Sequence, residues 1–295
     1  MRPKRSMTSF DVRAEAADLA GIVGARFQKA YDPTPDSLLI RLHRSGGRVN
    51  LLGQMGRFIV DTGREVAVPA TPGHFPSLLR KHLSNAPLVR VSQHDFDRVL
   101  VLSFGHERTT DLVIELFGRG NAVLVREGRI IGVHHAETWR DRTLKGGADY
   151  RFPASRSNPL EMDYGTFREV LMRGTDVVRS LALELNLGGT YAEEVCLRAG
   201  LDKESAPGDL PEGDVEAAYE ALRGLLAGLE EPSPNIVGEG GEMVDAVPLE
   251  LAIYEDLAIE RVPRFNEALD RFFSPEVPVE VSAETIEHDH LERIL

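Results

Sequence analysis

Apolar positions are densest between Val91 and Val133, in the stretch VSQHDFDRVLVLSFGHERTTDLVIELFGRGNAVLVREGRIIGV. Four runs rich in Val, Ile, Leu and Phe alternate there with turn residues, the pattern of an antiparallel meander. Residues 98–104 predict a first strand and 105–110 the loop after it. Residues 111–117 predict a second, with Leu112, Ile114 and Leu116 on one face because strand side chains alternate. Gly118-Arg119-Gly120-Asn121 reads as a tight turn. Residues 122–125 and 129–133 read as a hairpin around Arg126-Glu127-Gly128. Two polar corners interrupt the pattern, Asp95-Phe96-Asp97-Arg98 and the stretch from Glu115 to Asn121. Rigid strands position the loops that join them, so these corners are the natural places for a site.

The pattern elsewhere is mixed. Residues 8–23 predict a helix, with Thr8 and Asp11 spaced as a capping box and Ala16, Leu19, Ala20 and Val23 as its apolar stripe. Short strands follow at 26–31, 37–43, 48–52 and 58–60, separated by Pro- and Gly-rich turns. Residues 75–83 predict a second helix carrying the basic spot Arg80-Lys81-His82. Residues 136–163 read as a polar, Arg-rich connection. Helical periodicity returns at Tyr164, and Val177, Val178, Leu181 and Leu185 mark one face. Gly188-Gly189 breaks it. Thr190 and Glu193 repeat the capping-box spacing for a helix that Gly200 closes. Asp214 is placed to cap another running to about Leu229. After a Pro-rich linker at 231–235, residues 236–263 are strand-like and 265–273 helical. Residues 285–295 begin a charged helix that stops abruptly, as in the N-terminal piece of a longer protein.

These elements predict an α+β fold: an N-terminal sandwich-type unit with two helices over 1–153, a helical module over 154–231, further strands and a helix over 232–275, and a tail over 276–295. No apolar run approaches the length that spans a bilayer, and the basic start runs into charged residues rather than a signal-peptide core. One cysteine, Cys196, permits neither an internal disulfide nor a cysteine-based zinc site. The chain reads as cytoplasmic, with no membrane partner.

The formal charge is −13, and only five of the 34 basic residues are lysine. Abundant carboxylates with scarce lysine point to a high-salt cytoplasm, although a high-GC genome also favours Arg over Lys. Net acidity argues against nucleic-acid binding, and the argument weakens where concentrated salt screens charge. His134-His135 and the pair His288 and His290 lack metal-ligand spacing. No GxSxG, Walker or GxGxxG element occurs. Neither a metal nor a cofactor is expected, and no enzymatic reaction.

Six segments carry a specific resemblance. They are Ser9-Phe10-Asp11-Val12, Leu79-Arg80-Lys81-His82-Leu83, Phe96-Asp97-Arg98, Glu115-Leu116-Phe117-Gly118-Arg119-Gly120-Asn121, Leu187-Gly188-Gly189-Thr190-Tyr191-Ala192-Glu193-Glu194 and Phe265-Asn266-Glu267-Ala268-Leu269-Asp270. In this order they resemble the N-terminal domain of the NFACT family (NEMF, RqcH and FbpA-like proteins), of archaeal and haloarchaeal type. The resemblance implies a fold similar to the MutM/Fpg glycosylases with a helix–hairpin–helix-like middle portion, and a following coiled coil whose first turns are 285–295. It implies a ribosome quality-control factor that binds the large ribosomal subunit carrying a stalled peptidyl-tRNA and recruits tRNA for C-terminal tailing.

The same resemblance assigns tRNA contacts to Asp97, Arg98 and Asp11. Arg can clamp a phosphate or stack on a base, and Asp can accept from base amino groups or orient the Arg. The plain alternatives are a solvated salt bridge at a strand entry and, for Asp11, the capping carboxylate. Arg80, Lys81 and His82 are candidate phosphate contacts or a basic helix end balancing the dipole. Arg119 lies in a turn that either admits RNA closely or is simply a hairpin turn. Gly188, Gly189 and Thr190 offer helix-start N–H groups to a phosphate or form a simple interhelical turn. Two rival functions are weaker. A DNA glycosylase would need an N-terminal Pro-Glu, and the chain begins Met1-Arg2-Pro3 with no Glu beside it. A surface adhesin would need an export signal.

Overall fold

The structure, a computed structural model, describes residues 3–139, 142–154 and 157–277. Helix α1 (Ser9–Leu19) starts where the sequence predicts. Asp11 N donates to Thr8 Oγ1 at 3.2 Å and Thr8 N donates to Asp11 Oδ2 at 2.7 Å, so two otherwise unpaired donors are satisfied reciprocally. The helix ends earlier than its periodicity suggests, in a 3-10 turn over Ala20–Ile22. Ile22 is buried there while Ala20 and Val23 face solvent, so the stripe runs Phe10, Ala16, Leu19, Ile22.

Strands β1 (Arg26–Tyr31), β2 (Ser37–Arg44), β3 (Gly47–Gln54) and β4 (Phe58–Asp61) form an antiparallel meander in chain order. Helix α2 (His74–Leu83) packs on β1 and leads to a second sheet of five strands, β5 (Leu88–Gln93), β6 (Val99–Phe104), β7 (Thr110–Glu115), β8 (Asn121–Arg126) and β9 (Arg129–Val133). The hydrophobic pattern predicts four of these. Strand β5 escapes it because its alternation includes Arg90, Ser92 and Gln93, and only pairing with β6 identifies it.

Strands β6–β8 are buried on both faces, which explains why they read as almost continuous apolar runs. Leu100, Leu102, Leu112, Ile114 and Leu124 face the main core. Val99, Val101, Val113, Val123 and Val125 face a second cluster, closed by Leu144, Ala148 and Tyr150. The polar connection of the sequence is therefore in part a cover. It contains a short hairpin, β10 (Glu137–Thr138) with β11 (Thr143–Leu144), laid against the outer face of the sheet.

The helical block comprises α3 (Tyr164–Leu171), α4 (Val177–Arg179) continued by a π turn over Ser180–Glu184, α5 (Gly188–Ala199) and α6 (Glu212–Gly228). Two predicted caps are absent. Gly188, at φ +75°, opens α5 two residues before Thr190, which lands in the first turn, and Glu193 pairs with Lys203 at 3.0 Å instead of folding back. Asp214 sits in the first turn of α6 behind Pro211, where its charge suits the helix dipole. Gly200 closes α5 in the left-handed conformation as predicted.

The chain then forms a three-stranded sheet from β12 (Asn235–Glu239), β13 (Glu242–Val247) and β14 (Ala258–Arg261), ordered β13-β12-β14, followed by α7 (Phe265–Phe273) and a 3-10 turn. Phe273 stacks on Phe58 at 4.9 Å, and the Asn266 side chain exchanges hydrogen bonds with the Asp61 backbone. One contiguous core runs from Met7 to Val277 and includes the helical block. The expected coiled-coil start at 285–295 lies outside the described residues.

Helix α1 also buries Glu15 completely, and neither carboxylate oxygen has a hydrogen-bond partner among the described residues. Burial, then the neighbouring Asp18, pushes this acid well above its ordinary value, against the pull of Arg264. Such a group keeps its proton in the folded chain after the unfolded chain has released it. It carries no penalty below pH about 4.5 and lowers stability progressively as pH rises above that. Glu15→Gln is expected to gain on the order of 1–3 kcal/mol at pH 8 and little at pH 4. Urea titrations at both pH values test this, and an equal gain at both would exclude a buried titrating acid.

Candidate nucleic-acid interface

Three of the predicted segments meet at one junction: the start of α1, the β5–β6 corner and the turn between the π segment and α5. Phe10 stacks on Tyr191 at 3.8 Å and meets Phe96 edge-on at 5.0 Å, so a small aromatic core joins the three. A polar network lies over it. Asp97 Oδ1 accepts from Asn186 Nδ2 at 2.9 Å and from Arg98 N at 2.7 Å. Asn186 also donates to the Phe96 carbonyl, and Ser9 Oγ donates to the Asn186 carbonyl at 3.0 Å. Gln93 Nε2 bridges the Ser9 and Asp97 carbonyls at 2.8 and 2.9 Å. Asp95 and Asn186 hold positive φ, +46° and +57°. These residue types tolerate that conformation best among non-glycines, and such residues concentrate at functional corners.

Asp97 and Arg98 are each half-buried. The Arg98 carbonyl accepts from Leu116 N at 2.8 Å, so sheet pairing fixes the backbone while the side chain stands at the sheet's end. The α5 start lies alongside. A Cβ on Gly188 would meet the Thr8 methyl at 3.7 Å. Gly189 and Thr190 line an open cavity of about 600 Å³ together with Lys4, Arg5, Thr8 and Tyr254. The carboxylates of Glu193 and Asp245 line the same space beside the Lys4 and Arg5 cations.

Asp11 is placed differently. It is fully buried, and Lys4 Nζ reaches its Oδ2 at 2.8 Å, Asp245 Oδ1 at 2.7 Å and the Ala246 carbonyl at 2.5 Å. Tyr254 OH donates to Asp245 Oδ2 at 2.5 Å. Burial works against the Lys4 charge, but the two carboxylates outweigh it and hold its pKa above the usual lysine value. Burial and Asp245 push the Asp11 carboxyl up, with Lys4 opposing. Asp11 has no solvent surface to offer a ligand in this arrangement. It acts on the junction through the Thr8 cap and the helix start that follows.

The basic spot on α2 is split. Arg80 turns inward, donating from Nε and Nη2 to the Ala30 carbonyl at 3.0 and 2.8 Å, with its guanidinium 4.6 Å over the Tyr31 ring. Burial, then Arg126 and Lys81, lowers the His82 pKa. Lys81 alone of the three is exposed. Helix α2 packs on β9, the strand at the opposite edge of the sheet from β5. Arg119 is exposed at the β7–β8 turn. The glycines around it have a packing reason, since a Cβ on Gly120 would lie 1.8 Å from Gly56 N and one on Gly56 would lie 2.6 Å from the Gly118 carbonyl oxygen.

Lys4, Gln93 and Asn186 are missed by sequence reasoning. Lys4 is hidden in a start that reads as merely basic, and only its reach to Asp245 reveals it. Asn186 leaves a trace, as an Asn directly before a glycine break. Glu194, inside one of the resembling segments, is buried and accepts from the Ala252 and Ile253 N–H groups at 3.0 Å each, so it is an internal cap. Among the described residues no group of three or more His, Cys, Asp or Glu is placed to hold a metal ion, and no helix is long and apolar enough to cross a membrane.

Residues 8–285 match the family described as NFACT N-terminal and middle domains. The archaeal Rqc2 homolog aRqcH of Methanocaldococcus jannaschii is 31% identical over 287 residues, covering 92% of this chain and 42% of that protein. The ribosome quality control complex subunit NEMF homolog of Drosophila melanogaster is 27% identical over 230 residues, covering 75% and 23%. The chain thus spans less than half the length of these curated relatives. Among solved structures, the fibrinogen binding protein from Staphylococcus aureus superposes with a TM-score of 0.73 at 19% identity, covering 90% of this chain and 98% of that one, a likeness of fold.

Proposed function

Because the chain belongs to the NFACT family, matched over residues 8–285, we propose that it is the N-terminal part of a ribosome-associated quality-control factor that binds tRNA on stalled large ribosomal subunits. Its partners are the large subunit with its peptidyl-tRNA and an incoming tRNA, and its role in C-terminal tailing is to hold that tRNA rather than to catalyse. The similarity to an archaeal Rqc2 homolog and to a NEMF-homolog subunit of the ribosome quality control complex supports the first half.

The observation that carries the second half is the β5–β6 corner. Asp97 and Arg98 stand half-exposed on a backbone fixed by sheet pairing, with the α5 N-terminus beside them. Arg98 supplies a planar fork for a phosphate or a base edge, and Asp97, steadied by Asn186, accepts from base amino groups. The first-turn N–H groups of Gly188, Gly189 and Thr190 and the side chains of Arg119 and Lys81 supply phosphate contacts. Asp11 serves as the buried support of this surface. The α4–α5 segment is the helix–hairpin–helix-like portion of a MutM-like fold, and the acidic surface is that of a haloarchaeal protein.

The test uses the full-length protein on ribosomes. Asp97→Ala with Arg98→Ala is expected to retain large-subunit binding and to lose tRNA recovery at least 10-fold. Its melt drops modestly, because the hydrogen bonds that the Asp97 carboxylate accepts from Asn186 Nδ2 and Arg98 N are lost, on the order of 1–3 kcal/mol. Arg98→Lys keeps the charge but not the fork and should be nearly as defective. Normal tRNA recovery by the double variant would move the site elsewhere.

A further inference from the structure

We propose that the cavity beneath Trp139 receives an unpaired nucleobase bearing an exocyclic amino group; this deepens the tRNA reading and rests on it for the identity of the RNA. The cavity holds about 410 Å³, within the range of small-ligand sites. Trp139 is 49% exposed, an unusual cost for a large aromatic side chain, and the hairpin that carries it is firmly rooted. Arg142 reaches the buried Glu115 carboxylate through both terminal nitrogens, with Nη1–Oε2 at 3.1 Å. Tyr150 OH donates to Glu115 Oε1 at 2.9 Å, and Leu144 is sealed into the outer cluster. Trp139 N donates to the Arg142 carbonyl at 2.8 Å. A rigid root below an open indole face is a prepared stacking platform.

The rest of the wall suits a nucleotide. Gly118 and Gly120 contribute only backbone, so Arg119 is the side chain at the turn's tip, positioned for a flanking phosphate. Glu137 lines the same space and has no ion-pair partner among the described residues. A free carboxylate beside a stacked base accepts from an amino group on adenine, guanine or cytosine and repels the carbonyl edge of uracil. Placement links this cavity to the proposed site. Glu115 is the register partner of Val99, the residue after Arg98, so the cavity floor lies one strand, roughly 5 Å, from the Arg98 backbone. Val99 and Glu115 face the outer cluster while Arg98 alternates to the other face, so an RNA strand serving both passes round this end of the sheet.

Trp139 is the single tryptophan of the chain, so its fluorescence reads this cavity directly. The 295-residue chain is titrated with AMP, GMP, CMP and UMP and with a single-stranded RNA heptamer. Saturable quenching by the amino-bearing nucleotides and by the heptamer is expected, with UMP at least 5-fold weaker. Glu137→Gln should remove that preference. In full-length protein, Trp139→Ala should weaken tRNA retention on the order of 10-fold, with Trp139→Phe restoring most of it. No saturable quenching by any nucleotide, or equal quenching by all four, overturns the proposal. Quenching by N-acetyl-arginine amide but not by nucleotides overturns it in favour of a protein docking site. If quenching persists while the Arg98 variants retain tRNA normally, the base site stands and the Asp97-Arg98 reading fails.

Discussion

Lys4→Met is expected to cost on the order of 3–5 kcal/mol, the usual penalty for removing one member of a buried ionic group. The ammonium is almost fully enclosed, and it is the only cation paired with Asp11 and Asp245 among the described residues. Methionine fills its stem but leaves two carboxylates facing each other in a low-dielectric space. The loss has a pH signature. Lys4 itself is held above its ordinary value, so its contribution is fully present through neutral pH and fades only in strong alkali. Asp11 is already pushed up by burial, and without Lys4 it binds its proton still more readily. Protonation relieves the repulsion, so the deficit should narrow as pH falls toward 4. Urea unfolding of both proteins at pH 8 and pH 4.5 measures it. A deficit below about 1 kcal/mol at pH 8, as for a surface pair, would show that the cluster is not a buried unit.

Gly120→Ala is the second large effect. Two penalties combine: φ of +72°, which costs a non-glycine residue about 1–2 kcal/mol, and a Cβ 1.8 Å from Gly56 N and 2.5 Å from Gly56 Cα. The neighbour is backbone, so the two sheets must separate locally, at a further 1–3 kcal/mol or so. The total is on the order of 2–5 kcal/mol. Gly118→Ala is the internal control. Its φ is +57° but nothing lies within 4 Å of the added methyl, so only the conformational cost of about 1 kcal/mol remains. Thermal melts of the two variants separate the explanations. Equal losses would mean that the turn's own conformation, not its contact with the β3–β4 turn, requires glycine.

These two variants also mark the boundary of what the sequence makes legible. Local determinants are readable: Thr8 and Asp11 are three apart and cap α1, Gly200 closes α5, and strands β6–β9 announce themselves by apolar content. The Asp97-Arg98 corner is legible as a polar interruption between strands. What is hidden depends on partners distant in the chain. Arg142 reads as one of several arginines in a polar connection until Glu115 is found beside it, and Lys4 reads as part of a basic start until Asp245 is. The inward turn of Arg80 is hidden for the same reason, since the Ala30 carbonyl claims its fork from fifty residues away. The repeated capping-box spacing at Thr190 misleads because Gly188 lets the helix begin earlier than the motif allows.

The reach from Lys4 to Ala246 spans 242 positions of sequence. During synthesis the first helix therefore emerges long before Asp245, the second carboxylate that pairs with its neighbouring lysine, exists. Contacts of such separation carry the loop-closure entropy of nearly the whole chain and form late. Until β13 arrives, Lys4 and Asp11 remain hydrated and the base of α1 stays open to water. The order of events is thus built in: the two meanders assemble from near neighbours, and the last strands then lock the beginning of the chain in place.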